Sequence, residues 1–168
     1  MIRKLLLLGL ITLLASCGFH LRGFNDMPRW LNNISIVIEN AHRDLGPIIK
    51  DQLEAYKIQV NPAPARADYI LVIESDGIQQ QITNIAASTA PRQYLLIYVV
   101  QFKLIKVKGG VIIPPTSVSV TRQLTVNNDR ILGSNSEETL LSKEMRNDAA
   151  MQIMNRLSRE NKSLSAAS

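Results

Sequence analysis

A single cysteine, Cys17, is the residue whose type and setting point most directly to covalent chemistry. A deprotonated cysteine sulfur is a strong nucleophile and can accept a lipid group. The small residues Ala15 and Ser16 precede it, and Leu14 stands three positions before the thiol. Small residues let this segment enter a peptidase site in extended form, and the leucine supplies an apolar anchor. This pattern is typical of a bacterial lipobox. We expect Cys17 to carry a diacylglycerol on its sulfur and a third acyl chain on its freed amino group.

The residues before Cys17 have the three parts of a secretory signal peptide. Arg3 and Lys4 form a basic start, residues 5–14 are an apolar run, and small residues precede the cut. The run is shorter than the roughly 20 apolar residues that a transmembrane helix needs. The alternative is an ordinary secretory signal followed by a chance cysteine. Gly18 follows the cysteine, where an aspartate would typically retain a lipoprotein at the inner membrane, so we expect lipid anchoring at the periplasmic side of the outer membrane.

Three arginines are candidates for contact with an anionic ligand. Arg122 falls on the inward face of an otherwise apolar strand, where a guanidinium must be paired or reach water. An ion pair and a ligand contact therefore both remain open for Arg122. Arg92 at the start of a long strand and Arg130 in a loop are ordinary loop cations unless they converge on an exposed apolar patch. A phosphorylated lipid would require such a patch.

The sequence lacks the patterns of common catalytic and metal sites. His20 and His42 stand apart, with no HExxH spacing, and neither a glycine-rich phosphate loop nor G-x-S-x-G occurs. With Cys17 committed to lipid, no thiolate remains for a metal or a disulfide. We therefore predict no enzymatic activity, no cofactor and no metal.

Charge and length exclude other classes of protein. The formal net charge is +5, but Arg3 and Lys4 belong to the signal peptide and no run of five or six cations occurs. We therefore expect no nucleic-acid partner. Hydrophobic residues make up 46% of the 168 residues, which suffices for the packed core of one domain.

Three shorter segments are predicted as strands. Residues 34–38 are short and β-branched, and residues 68–74 form a nearly continuous apolar run typical of a central strand. Residues 78–86 alternate weakly and are rich in glutamine, which favours a polar or edge strand.

The strongest strand pattern covers residues 93–107. One face is apolar throughout, whereas the opposite face begins apolar at Leu95, Ile97 and Val99 and then becomes polar. We therefore expect half of this strand to be covered on both sides. After a loop that contains glycines and prolines, residues 116–126 are expected to return as the second strand of an antiparallel hairpin.

Two helices complete the predicted elements. Gly46-Pro47 opens the first, because the missing N–H of proline is harmless in a first turn. Ser134 and Glu137 fit a capping box at the start of the second, which carries an apolar stripe as far as Leu157.

These elements predict an α+β fold, a two-layer sandwich of two helices on a four-stranded, largely antiparallel sheet. The predicted segments are a lipoprotein signal peptide (1–16), a lipidated extended tether (17–32), a single α+β domain (33–160) and a disordered tail (161–168).

The sequence also resembles a known family. The run Cys17-Gly18-Phe19-His20-Leu21-Arg22 is similar to the mature start of the lipopolysaccharide-assembly lipoproteins, the LptE family. Further similar motifs are Gly46-Pro47-Ile48, Gln52-Leu53 and the helix run from Lys143 to Ala150.

The resemblance implies two helices on a four-stranded sheet. It also implies a protein that plugs and assembles with the LptD outer-membrane β-barrel and binds lipopolysaccharide on its way to the outer leaflet. Arg92 and Arg130 suit the family's lipid-binding role by position. A structural or pilot lipoprotein that delivers another outer-membrane complex, without a lipid ligand, is the competing hypothesis.

Overall fold

The computed structural model describes residues 27–28, 30–84, 92–126 and 131–165, with side chains described except at 84, 92, 131–135 and 161–165. In chain order the elements are β1 (Asn33–Asn40), α1 (Leu45–Ala55), β2 (Gln59–Val60), a 3-10 helix (Pro64–Arg66), β3 (Tyr69–Asn84), β4 (Arg92–Lys106), β5 (Val111–Val126) and α2 (Ile131–Ser165).

The sheet has five strands in the order β2-β1-β3-β4-β5. Strand β1 runs parallel to both β2 and β3, whereas β4 runs antiparallel to both β3 and β5. The predicted α+β class, with two helices on one sheet, is therefore confirmed. The predicted four-stranded, largely antiparallel sheet is wrong, because the sheet has five strands and is mixed.

The parallel pairing follows from the helix after β1. Helix α1 carries the chain back to the end of the sheet where β1 began, so the next strands run in the same direction as β1. Strand β2 contains only two residues, Gln59 and Val60, and such a short segment has no pattern that identifies a strand.

The two predicted strands at 68–74 and 78–86 are halves of the single strand β3. The register with β4 shifts between Ile73 and Ser75, so Glu74 is the extra residue of a β-bulge. Strand β1 pairs with β3 only as far as Ser75. Among the described strands, β4 alone pairs with the glutamine-rich half, which therefore lies at an edge as the sequence predicts.

The hairpin of β4 and β5 is confirmed, but its loop is shorter than predicted. Its turn contains Gly109 and Gly110 at φ 105° and 96°, a region that residues with a side chain rarely adopt. Strand β5 begins at Val111 instead of 116 and includes Pro114 and Pro115. Prolines are tolerated there because β5 is an edge strand of the sheet.

Both helices pack on one face of the sheet and share one core with it. Alternate residues of β4 point into this core, as the period of two predicts. Full burial of such a side chain contributes about 1.5–3 kcal/mol. The fully buried residues include Leu45, Ile49 and Leu53 from α1, Leu96, Tyr98, Val100, Phe102 and Leu104 from β4, and Met145, Ala149, Ala150, Ile153 and Leu157 from α2.

Helix α2 is longer than predicted at both ends. It begins at Ile131, so the capping-box start at Ser134 is wrong. It ends at Ser165, five residues into the segment 161–168, because neither glycine nor proline interrupts it there. Residues 166–168 lie outside the described part, where disorder stays a prediction. Within the described ranges, α1 and α2 both lack an apolar stretch long enough to cross a membrane.

The end of the predicted tether is docked on the domain. Leu31 is fully buried, and the ring of Trp30 lies 4.9 Å from that of Tyr69 between centroids. The tether prediction for residues 17–26 falls outside the described residues.

The second face of the long hairpin is less covered than predicted. Leu95, Ile97 and Val99 are half-buried, whereas their neighbours Leu96 and Tyr98 are fully buried. The expectation that this half of β4 is covered on both sides is wrong for the described part of the chain, because α1 and α2 both lie on the other face.

Candidate functional site

The described residues contain only some of the predicted site residues. Cys17 and Arg130 lie outside them. Arg92 is the first residue of β4 and pairs with Val126, but its side chain is outside the description. Arg122 pairs with Leu96 on the same ladder. Arg92 and Arg122 are thus separated along the sheet by four residue steps, about 13 Å at a rise of about 3.3 Å per residue.

Arg122 is engaged in an ion pair. Its guanidinium donates to the carboxylate of Asp148 on α2 and to the carbonyl oxygen of Thr121, the latter at 3.0 Å. The two paired side chains are 40% and 29% exposed. Of the two roles open for Arg122, the structure provides the ion pair, and a ligand contact stays a prediction.

A cluster of polar groups, which we call the polar junction, connects β3, β4, α2 and the loop between β1 and α1. Tyr98 is 1% exposed and its hydroxyl donates to Asp76 Oδ2 at 2.6 Å. Asp76 Oδ1 also accepts from the His42 backbone amide at 2.9 Å. Burial raises the pKa of the Tyr98 phenol, the Asp76 carboxylate raises it further, and the guanidinium of Arg146 opposes both. The polar junction consists of Asp76, Tyr98, Arg146 and the His42 amide.

We expect Tyr98→Phe to lower the free energy of unfolding by about 1.5 kcal/mol, because the Asp76 carboxylate no longer accepts a hydrogen bond from the hydroxyl at position 98. The raised pKa means that this contribution is fully present below about pH 10 and is lost at higher pH as the folded protein's phenol ionises. Urea unfolding at neutral pH measures the change. Tyr94→Phe is the matched control on the same strand, since its hydroxyl has no hydrogen-bond partner among the described residues. Equal effects of the two substitutions would contradict the assigned role of Tyr98.

A groove opens between the first turn of α1 and the N-terminal half of α2. Its volume is about 520 Å³, within the range of about 300–1,000 Å³ for small-molecule sites. We call it the interhelical groove. It is lined by Asp44, Pro47, Ile48, Ser136, Thr139, Leu140, Lys143 and Arg146.

A second, more polar cavity of about 490 Å³ adjoins the interhelical groove. The two share Asp44, Thr139 and Arg146, and the second also includes His42 and Glu138. The Asp44 carboxylate lies 3.5 Å from His42 Nδ1. The Asp44 carboxylate and the Arg146 guanidinium therefore both lie where the two cavities join.

The open face of the hairpin carries no charged residue over four cross-strand rows. A half-buried apolar row on β4 is flanked by exposed amides of β3 and exposed hydroxyls and an amide of β5. We call this surface the neutral face. Its rows are Ser75–Gln101–Ser117, Gly77–Val99–Ser119, Gln79–Ile97–Thr121 and Gln81–Leu95–Gln123.

Charged side chains lie next to the neutral face, on the side of the turn that joins β4 and β5. The Lys103 ammonium lies 2.7 Å from the Glu74 carboxylate, which raises the pKa of the lysine. Within the ranges that the structure describes, histidine, aspartate and glutamate side chains nowhere converge in threes as a metal site would need.

Comparison with known proteins identifies the family. The family model described as LptE, lipopolysaccharide-assembly, matches residues 31–157. The LPS-assembly lipoprotein LptE of Yersinia enterocolitica is 30% identical over 155 residues, which cover 91% of this chain and 74% of that protein. The chain belongs to the LptE family. The protein of the same name from Pectobacterium atrosepticum is 28% identical over 154 residues, covering 90% and 83% of the two chains.

A solved structure has the same fold. The NMR structure of uncharacterized lipoprotein B from Nitrosomonas europaea matches with a TM-score of 0.69 at 22% identity, over 84% of this chain and 91% of that one. The family model and the relatives of known name confirm the predicted resemblance to the LptE family. LptE proteins are lipopolysaccharide-assembly lipoproteins and not a known family of enzymes.

Neither the polar junction nor the interhelical groove of this LptE family member was predicted from the sequence. A usable signal existed for the junction, since Tyr98 falls on the inward face of β4 and a buried tyrosine hydroxyl needs a partner. The groove offered no such signal, because its walls come from α1 and α2, which are far apart in the sequence.

Proposed function

We propose that this protein is an outer-membrane lipoprotein, anchored through acyl chains on Cys17, that assembles with the LptD β-barrel and binds lipopolysaccharide during its transport to the outer leaflet. The observation that carries the proposal is the family match over residues 31–157, which includes every described strand and most of α2. The role is one of binding, without bond making or breaking.

The neutral face supports assembly with a protein partner. Its apolar row is only half-buried, and the flanking amides and hydroxyls can hydrogen-bond to a polar wall without bringing a charge into the interface. Depletion of charge is characteristic of the buried centre of protein interfaces. We assign the neutral face to contact with the inner wall of the barrel.

The predicted cations support lipid binding at another part of the hairpin. Arg92 opens β4, and Arg130 precedes α2 in the sequence. Arg92 lies at the open end of the hairpin, where it pairs with the last residue of β5, Val126, and Arg130 follows Val126 by four positions in the sequence. Arginine binds phosphate oxygens through charge-assisted, often bidentate hydrogen bonds. These side chains are suited to the phosphates of lipid A or of the sugar core.

Affinity purification of the lipidated protein from outer membranes tests the assembly. We expect LptD and lipopolysaccharide to co-purify with it. Recovery of a different outer-membrane complex, without the barrel, would instead support a pilot lipoprotein and overturn the proposal.

The ligand site is tested by the double substitution of Arg92→Glu with Arg130→Glu. We expect lipopolysaccharide recovered in a pull-down to fall about tenfold or more, because two charge-assisted contacts are replaced by repulsion. Co-purification of the barrel and the circular dichroism spectrum should not change. Lys106→Glu with Lys108→Glu is the control, since these exposed cations lie at the opposite end of β4. Unchanged recovery for the arginine variant would remove both residues from the site.

A further inference from the structure

The interhelical groove combines an apolar lining with positive charge. Pro47, Ile48 and Leu140 form its apolar part, and the aliphatic stems of Lys143 and Arg146 extend that surface. Leu140 is 57% exposed although it faces this concave site. An apolar concave surface with a few convergent polar groups is the usual form of a small-molecule site.

Arg146, which lines the groove, also has a nitrogen without an acceptor. The Nε atom of Arg146 is buried and has no hydrogen-bond partner among the described residues. A buried unsatisfied donor of this kind costs about 1–3 kcal/mol, and more when the group is charged. Lys143 adds a second cation to the lining, which contains one carboxylate, that of Asp44. Asp76 lies with Arg146 in the polar junction, and Glu138 lines the adjoining cavity, so Lys143 is the cation of the groove without a described ion pair. An anionic group bound here would meet the positive charge of Lys143 and Arg146.

From these observations we propose that the interhelical groove binds one fatty acyl chain of a lipid, with a phosphate or carboxylate of that lipid held by Arg146 and Lys143. The described lining of the groove does not include Arg92 or Arg130, although Arg130 precedes the lining residue Ser136 by only six positions. The proposal goes beyond the proposed function in naming a second lipid site, and it does not require LptD.

The volume and the charge favour a lipid over the other occupants. An apolar partner helix would cover Lys143 and Arg146 without a counter-charge, and a small inorganic anion would leave the apolar wall of Pro47, Ile48 and Leu140 exposed. An acyl chain that ends in an anionic group satisfies both parts of the groove at once.

Photocrosslinking in cells tests the proposal on the full, lipidated protein. Benzoylphenylalanine at position 140 places the reactive ketone in the groove, and the same residue at position 151 is the matched control. Met151 is 52% exposed on the same helix and does not line the groove. We expect irradiation to give a lipid adduct, identified by mass spectrometry, at position 140 and not at position 151.

A charge substitution links the adduct to the proposed anionic group. In the position-140 variant, Lys143→Glu should reduce the adduct about tenfold, the loss expected when a charge-assisted hydrogen bond is replaced by repulsion. Lys50→Glu on the exposed side of α1 should leave it unchanged. With purified protein, added dodecyl phosphate should form the adduct, and dodecyl maltoside, with a neutral head group, should form it less efficiently.

The outcomes separate this inference from the proposed function. A crosslink from position 140 to a protein, equal lipid adducts at positions 140 and 151, or no effect of Lys143→Glu would overturn the groove as a lipid site. A lipid adduct confined to position 140 supports it even if LptD does not co-purify, an outcome that would contradict the proposed function alone.

Discussion

Cys17→Ser is expected to release the protein from the outer membrane into the soluble periplasmic fraction. Serine has nearly the same size but lacks the thiolate that accepts the diacylglycerol. Each buried CH₂ of an acyl chain contributes about 0.8 kcal/mol to membrane binding, so three chains anchor a protein where a single chain binds only marginally. Membrane fractionation and labelling with radioactive palmitate measure the two consequences directly.

Ser16→Gly is the matched control for this prediction, because it changes the adjacent residue and keeps it small. The control should remain labelled and sediment with membranes. A Cys17→Ser protein that still incorporates palmitate and sediments in the same way would show that the anchor lies elsewhere, and the ordinary secretory signal would become the better interpretation.

Ile97→Glu is expected to abolish co-purification with LptD. Ile97 lies in the middle of the neutral face, between Gln79 and Thr121. A carboxylate buried there against the barrel wall would lack a partner, and an uncompensated buried charge costs about 3–5 kcal/mol. Ile97 is half-exposed in the protein alone, so the glutamate can reach water and the unfolding midpoint should change little.

Val111→Glu provides the matched control for the neutral face. Val111 is 61% exposed at the other end of the hairpin. Its replacement by glutamate introduces the same charge outside the four rows of the neutral face. Pull-down of LptD, with thermal unfolding of both variants, distinguishes the cases. If both variants retain the barrel equally well, the neutral face is not the surface in contact with it.

The elements with a clear local pattern could be predicted from the sequence. Strand β4 alternates without interruption, and the buried row from Leu96 to Leu104 lies where the period of two places it. Helix α1 likewise buries Ile49 and Leu53 on its predicted face. Both predictions succeed because the pattern and the buried surface come from the same short stretch of chain.

Features that depend on pairing between distant segments could not be predicted. The direction of β1 relative to β3 depends on where α1 returns the chain, which residues 34–38 do not encode. The interhelical groove exists because Asp44 and Leu140, nearly a hundred positions apart, meet at its walls. Arg122 could be predicted in part. The strand pattern shows that its guanidinium needs a partner, but the packing of α2 determines that this partner is Asp148.

The bulge at Glu74 decides which side of β3 faces the helices on each half of the strand. Before it, the odd-numbered Leu71 and Ile73 are opposite buried residues of β4, and after it the even-numbered Asp76 and Ile78 take that side. A regular strand would keep the odd-numbered residues inward and turn Asp76 outward. One inserted residue thus keeps the Asp76 carboxylate out of the uncharged neutral face. It places that carboxylate within hydrogen-bonding distance of the buried Tyr98 hydroxyl.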